Sequence, residues 1–249
     1  MRANRFVPMG FCLVAFGCVM ACLPSVSRGD IQFTVSLDTS DLIGNAAGPF
    51  SLDFQLNDGS QTGDGNNTAT ISNFVFAGAT AGGPSGSPTT ASGGVTGSLA
   101  STVSLTDTSD FNEFTQAFTP GTSPGSTLSF SVDLTTNVDA GPTPDQFSFA
   151  ILDNLGDEIP TVDPSGANTL ITVNIDSSSP TVNVFDTDPS IIPNAGGTGI
   201  DIEPDVNILN AGTGGAGSGS VPLPTAAALG LTGLCLAAAL QCRCRRVGA

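Results

Sequence analysis

The strongest constraint on this chain is a period of two. Ile31, Phe33, Val35 and Leu37 alternate with Gln32, Thr34, Ser36 and Asp38; Phe50, Leu52, Phe54 and Leu56 alternate with Ser51, Asp53, Gln55 and Asn57. Successive side chains of an extended chain point to opposite faces, so each run presents one apolar face and one wet face. Residues 128–134, 147–151, 171–175 and 182–185 continue the pattern, and 94–106 and 200–208 carry it more weakly. Residues 68–76 change phase near Asn73, which predicts a bulge. Residues 57–67 and 77–94 are rich in Gly, Asn, Asp, Ser and Pro and read as connections. One segment has two readings. Phe111, Phe114 and Phe118 are spaced like a helix face behind Asp110 and Glu113, which resemble a capping pair. Residues 114–118 also fit a strand, and that reading is preferred. Around ten short strands at this spacing predict an all-β fold, a single antiparallel, jelly-roll-like β-sandwich over residues 29–210.

Charge narrows the function. The six cations are all Arg, at positions 2, 5, 28, 243, 245 and 246, so residues 29–220 hold all 22 acidic residues and no Lys, Arg or His. Nucleic acid is excluded as a direct partner, because phosphate binding runs on Lys and Arg. Carboxylates in this body have no ion-pair partner. Each must be hydrated, accept a backbone N–H, or bind a metal. The six Cys lie at 12, 18, 22, 235, 242 and 244, so no disulfide holds the body together.

Both ends differ from the middle. Residues 1–28 read as an export signal peptide with a helical apolar run: Arg2 and Arg5, the run 6–23, then Ser25-Val26-Ser27 with small residues for cleavage. Val19-Met20-Ala21-Cys22 is an imperfect lipobox, so a lipid anchor at Cys22 is the alternative. Residues 211–220 form a small-residue linker. The tail 221–249 is tripartite: Val221-Pro222-Leu223-Pro224, an apolar run to Leu240 that reads as a transmembrane helix, and Arg243, Arg245 and Arg246 as a cationic stop. This tail resembles the PEP-CTERM sorting signal of Gram-negative bacteria, with Leu223 standing where that family usually has Glu. The resemblance implies membrane anchoring of the precursor, transient recognition by an exosortase-type transpeptidase, and delivery to the cell surface or an exopolysaccharide matrix. The body, through residues 33–40, 48–56 and 143–153, resembles an ectodomain that recurs before such tails and that brings no assigned activity.

Little in the body can do covalent chemistry. Without His there is no Ser-His-Asp or Cys-His nucleophile, and without Lys there is no Schiff base or phosphate loop. Gly121-Thr122-Ser123-Pro124-Gly125 matches a nucleophile elbow in letters only and reads as a turn. Asp38-Thr39-Ser40 and Asp107-Thr108-Ser109 approach the aspartic-peptidase triplet but lack its Gly. A carboxylate-only hydrolase is therefore a distant alternative, and no enzyme is expected. Calcium fits best, since it takes oxygen ligands. Asp58, Asp64 and Asn66, on a Gly-rich loop after a strand, are the expected ligands. Asp38, Asp153, Asp176 and Asp186 end strands and are expected to crowd the sandwich rim. The expected role is an exported structural or interaction protein. Calcium-assisted carbohydrate binding is the alternative.

Overall fold

The alternating runs become strands that share one apolar interior. The computed structural model describes residues 30–59, 61–77, 83–120, 125–177 and 179–211. The segments expected to form a signal peptide, a transmembrane helix and a sorting tail, and almost all of the expected linker, lie outside the described residues. Among those described, no helix is long and apolar enough to cross a membrane.

Twelve strands follow in order: β1 Asp30–Asp38, β2 Phe50–Asn57, β3 Thr68–Ala77, β4 Gly83–Ser92, β5 Gly94–Gly97, β6 Thr102–Thr106, β7 Phe111–Thr119, β8 Thr127–Thr135, β9 Asp145–Leu152, β10 Ile171–Ile175, β11 Val182–Val184 and β12 Asp205–Ala211. A 3-10 turn at Ser40–Leu42 follows β1. Two six-stranded sheets result, ordered β12-β1-β8-β3-β6-β5 and β11-β10-β9-β2-β7-β4. Every pairing is antiparallel. The described residues are thus all-β, with two antiparallel sheets face to face, as the period of two requires.

The core follows the pattern residue by residue. Phe33, Val35, Phe130 and Val132 from one sheet meet Leu52, Phe54, Phe147 and Phe149 from the other, all at most 2% exposed. Phe54, Phe130 and Phe149 form a triangle with ring centroids 4.9, 5.1 and 5.2 Å apart, within the range of favourable aromatic contact.

Segment 111–118 is strand, and the burial explains its helical appearance. Asn112, Phe114, Gln116 and Phe118 all point inward, while Phe111 is 44% exposed. Two polar residues on the inner face had hidden the alternation. Asn112 is satisfied there: its Nδ2 donates to Leu56 O at 2.9 Å and Ser109 O at 2.7 Å, and its Oδ1 accepts the Gly94 N–H at 2.7 Å. The bulge in β3 is present, with register lost between Ser72 and Val75 and Asn73 at φ 51°.

Three boundaries need correction. Residues 77–94 are not only a connection, because they contain β4, an edge strand paired to β7 whose Gly, Pro, Ser and Thr residues carry no apolar alternation. Residues 94–106 are two strands joined by a turn, because Ser98 N–H bonds Thr102 O at 3.0 Å and closes the hairpin. The last strand begins at Asp205, whereas Ile200 and Ile202 are buried without strand pairing.

Candidate metal centre

Three loops that carry the chain from one sheet to the other gather at one end of the sandwich. Residues 58–67 join β2 to β3, 107–110 join β6 to β7, and 136–144 join β8 to β9. Their polar backbone must be satisfied locally, and the carboxylates do this.

Asp58 follows β2 and is 3% exposed. Its Oδ1 accepts the Gln61 N–H at 3.0 Å, and its Oδ2 accepts those of Thr62 at 3.2 Å and Gly63 at 2.5 Å. Such Asx capping folds a loop back on itself. Gly63 sits at φ +60°, where a Cβ would lie 2.7 Å from Thr108 O. Asp145 opens β9 and is 1% exposed. Its Oδ1 accepts the Gly59 N–H at 2.9 Å, and its Oδ2 accepts Asn67 Nδ2 at 2.7 Å. Asn67, fully buried, ties the loops together. It also donates to Asn137 O and accepts the Asn137 N–H, each at 2.8 Å. Asp139, in the third loop, accepts Asn66 Nδ2 on Oδ1.

One carboxylate oxygen from each of Asp58, Asp139 and Asp145 lies within 4.8 Å of the other two. Calcium bonds oxygen at about 2.3–2.6 Å, so oxygens sharing one ion stand no more than about 5 Å apart. At this site Asp139 Oδ2 and Asn66 Oδ1 are buried with no hydrogen-bond partner. An unmatched buried oxygen costs about 1–3 kcal/mol, more when charged. Burial raises the Asp139 pKa above the usual carboxylate value against the opposing Asn66 hydrogen bond, and the charges of Asp145, Asp64 and Asp58 add to the rise. Asp107 is pushed up to about 7 by burial first, then by its hydrogen bond to Asp145, with the charges of Asp145 and Asp64 adding to the rise. These groups repel one another, and the described residues include no Lys, Arg or His to offset them. Every donor in the set is oxygen. Such a set can hold a hard cation.

No family model, no curated protein and no solved structure matches this chain.

Of the three ligands expected from sequence, Asp58 enters the triad. Asn66 touches it through Asp139. Asp64 is exposed and accepts Asn66 Nδ2 at 2.8 Å. Asp139 and Asp145 were not foreseen. They lie far along the chain from Asp58, on loops whose adjacency depends on strand order, and their only sequence signal was an Asp-, Gly- and Pro-rich connection ending β8. Of the strand-end carboxylates, Asp38, Asp153, Asp176 and Asp186 are not members of the triad. Asp38 and Asp153 instead cap turns, accepting the N–H of Ser40 at 2.9 Å and of Leu155 at 2.8 Å. Val221, Pro222, Leu223, Pro224, Arg243, Arg245 and Arg246 lie outside the described residues.

A second carboxylate environment stands apart, on the outer face of β2. Asp53 is only 2% exposed. Its Oδ2 accepts Gln55 Nε2 at 2.6 Å, and its Oδ1 is buried with no partner. Burial raises its pKa to about 7 against the Gln55 hydrogen bond, with Glu113 and Glu158 adding repulsion.

Proposed function

We propose that this is an exported, non-catalytic β-sandwich of the cell surface or extracellular matrix, closed at one rim by calcium. The observation that carries the reading is the Asp58, Asp139 and Asp145 triad, in which Asp139 Oδ2 and the neighbouring Asn66 Oδ1 are buried without partners, in a body that offers no cation of its own. A divalent ion neutralises the triad and binds oxygens that otherwise lack partners. Asp58, Asp139 and Asp145 would hold it, with Asn66 Oδ1 nearby as a neutral donor. Calcium is preferred to magnesium because irregular sets of protein oxygens suit its longer bonds and higher coordination number. Calcium sites of extracellular modules typically bind at about 10⁻⁴–10⁻³ M, consistent with three carboxylates on a partly exposed rim.

The sequence of the ends supports export, and the strand order supports a jelly roll. Strands β1-β8-β3-β6 in one sheet and β2-β7-β4 in the other alternate between sheets as Greek keys do. The tail supports transient handling by an exosortase-type transpeptidase and anchoring of the precursor in the membrane. A structural role near exopolysaccharide follows from that address.

Calorimetric titration of the chain with calcium tests the metal reading. Binding at sub-millimolar to millimolar calcium is expected, lost in Asp145→Asn; absence of binding overturns it. Mass spectrometry of the protein from its native host tests the address. Loss of both ends is expected, and an intact chain in the cytosol overturns export.

A further inference from the structure

Beside the triad lies an open cleft of about 460 Å³, within the usual range of roughly 300–1,000 Å³ for small-ligand pockets. Its lining is amides, carboxylates and a hydroxyl: Asn57, Gln146 and Asn174 form one side, with Asp58, Asp110 and Thr143 around them. The three amides are neighbours by strand register. Asn57 pairs with Gln146 across β2 and β9, and Gln146 pairs with Asn174 across β9 and β10. With strands about 4.8 Å apart, the row spans roughly 10 Å. All three sit on the outer face, since their neighbours Leu56, Phe147, Val173 and Ile175 are buried inside.

We infer that this cleft is a binding site for a neutral carbohydrate. The lining excludes the other ligand classes in turn. An anionic ligand would meet Asp58 and Asp110 with no cation to hold it. A flat apolar ligand would find no aromatic ring in the lining. A cationic ligand would find Asp58 already engaged by the calcium of the proposed rim site, which leaves Asp110 as the one carboxylate of the lining to hold it. What remains is a ligand that donates and accepts hydrogen bonds without charge. Amides suit this, since each offers one acceptor and two donors in a plane. Gln146 Nε2 donates to Asn174 Oδ1 at 2.7 Å, which orients both and leaves Gln146 Oε1 as an acceptor and Asn174 Nδ2 as a donor. Asn57 Oδ1 has no partner but is closed off from solvent, so the Gln146 and Asn174 amides are the groups that meet the ligand. A sugar hydroxyl is at once a donor and an acceptor and matches such a row.

The amide row comes from paired strands and needs no metal. The opposite wall does depend on the calcium reading. Gly59 donates to Asp145, and a Cβ there would lie 2.2 Å from Pro144 O, so that wall is closely packed onto the metal-binding loops.

The test is calorimetric titration of the full chain with neutral tetrasaccharides of glucose, mannose, galactose and xylose, a uronic-acid tetrasaccharide, and tetralysine, with and without calcium. At least one neutral saccharide is expected to bind, with a dissociation constant below about 1 mM. Gln146→Ala and Asn174→Ala should each weaken it on the order of tenfold, the effect of losing a buried hydrogen-bonding partner, with the melting temperature unchanged. No neutral saccharide binding, preference for the uronate or for tetralysine, or wild-type affinity in both variants overturns the inference. Saccharide binding without any calcium response keeps this inference and removes the metal reading. A calcium response without saccharide binding does the reverse.

Discussion

Replacing Asp53 by Asn should make the protein more stable at alkaline pH and leave it unchanged in acid. Asp53 sits mid-strand on β2, 2% exposed, with Oδ1 unmatched and Glu113 and Glu158 nearby. Its pKa is raised from 3.8 to about 7, chiefly by burial. At 1.36 kcal/mol per pH unit this penalises the charged form by about 4 kcal/mol, an upper figure for what ionisation costs the fold. The direction follows from proton binding. Between pH 4 and 7 the folded chain holds a proton that the unfolded chain has released, so stability falls as pH rises through this window. It is fully present below the unfolded value and lost above the folded one. Asn keeps the shape and the hydrogen bond from Gln55 but cannot ionise. Urea denaturation at pH 3.5, 5.5 and 8 measures the difference. The variant should match wild type at pH 3.5 and exceed it by roughly 2–4 kcal/mol at pH 8. A variant equal to or less stable than wild type at pH 8 would mean that ionised Asp53 is well solvated or paired, and that its burial costs the fold nothing.

Further outcomes follow from the same contacts. Asp139→Asn should stabilise the calcium-free protein by removing one of several mutually repelling carboxylates, and should abolish any calcium-dependent rise in melting temperature; thermal melts in chelator and in calcium check both. Gly63→Ala places a Cβ 2.7 Å from Thr108 O at φ +60° and should cost roughly 1–3 kcal/mol by urea denaturation. Phe54→Ala opens the centre of the aromatic triangle and should cost roughly 3–5 kcal/mol in the same assay, with the calcium response retained.

The sequence was most informative where one face of a strand is apolar and the other polar. β1, β2 and β8 could be read from their letters, because burial of Phe33, Phe54 or Phe130 leaves every second position polar. β7 was ambiguous because Asn112 and Gln116 occupy inward positions and are satisfied by hydrogen bonds rather than by apolarity. β4 was invisible because an edge strand of Gly, Pro, Ser and Thr is held by its backbone pairing to β7, which leaves no periodic trace. The site was half legible. Asp58 stands on a Gly-rich loop whose composition signals oxygen ligands. Asp139 and Asp145 join it only because β2, β8 and β9 end at the same rim, and strand order is not encoded in any local pattern. Asp53 gave no signal either: its burial on an outward-facing position reflects tertiary covering, whereas alternation alone places it in water.

Whether calcium closes the carboxylate rim is decided by the melting temperature in calcium chloride against sodium chloride of equal ionic strength. At a calcium concentration about 100-fold above the dissociation constant, binding to the folded state contributes about 2.7 kcal/mol. For a domain of this size that corresponds to a rise of roughly 5–10 °C. The rise should appear in calcium beyond any effect of sodium, and should be lost in Asp145→Asn. Identical melting temperatures in the two salts would contradict it.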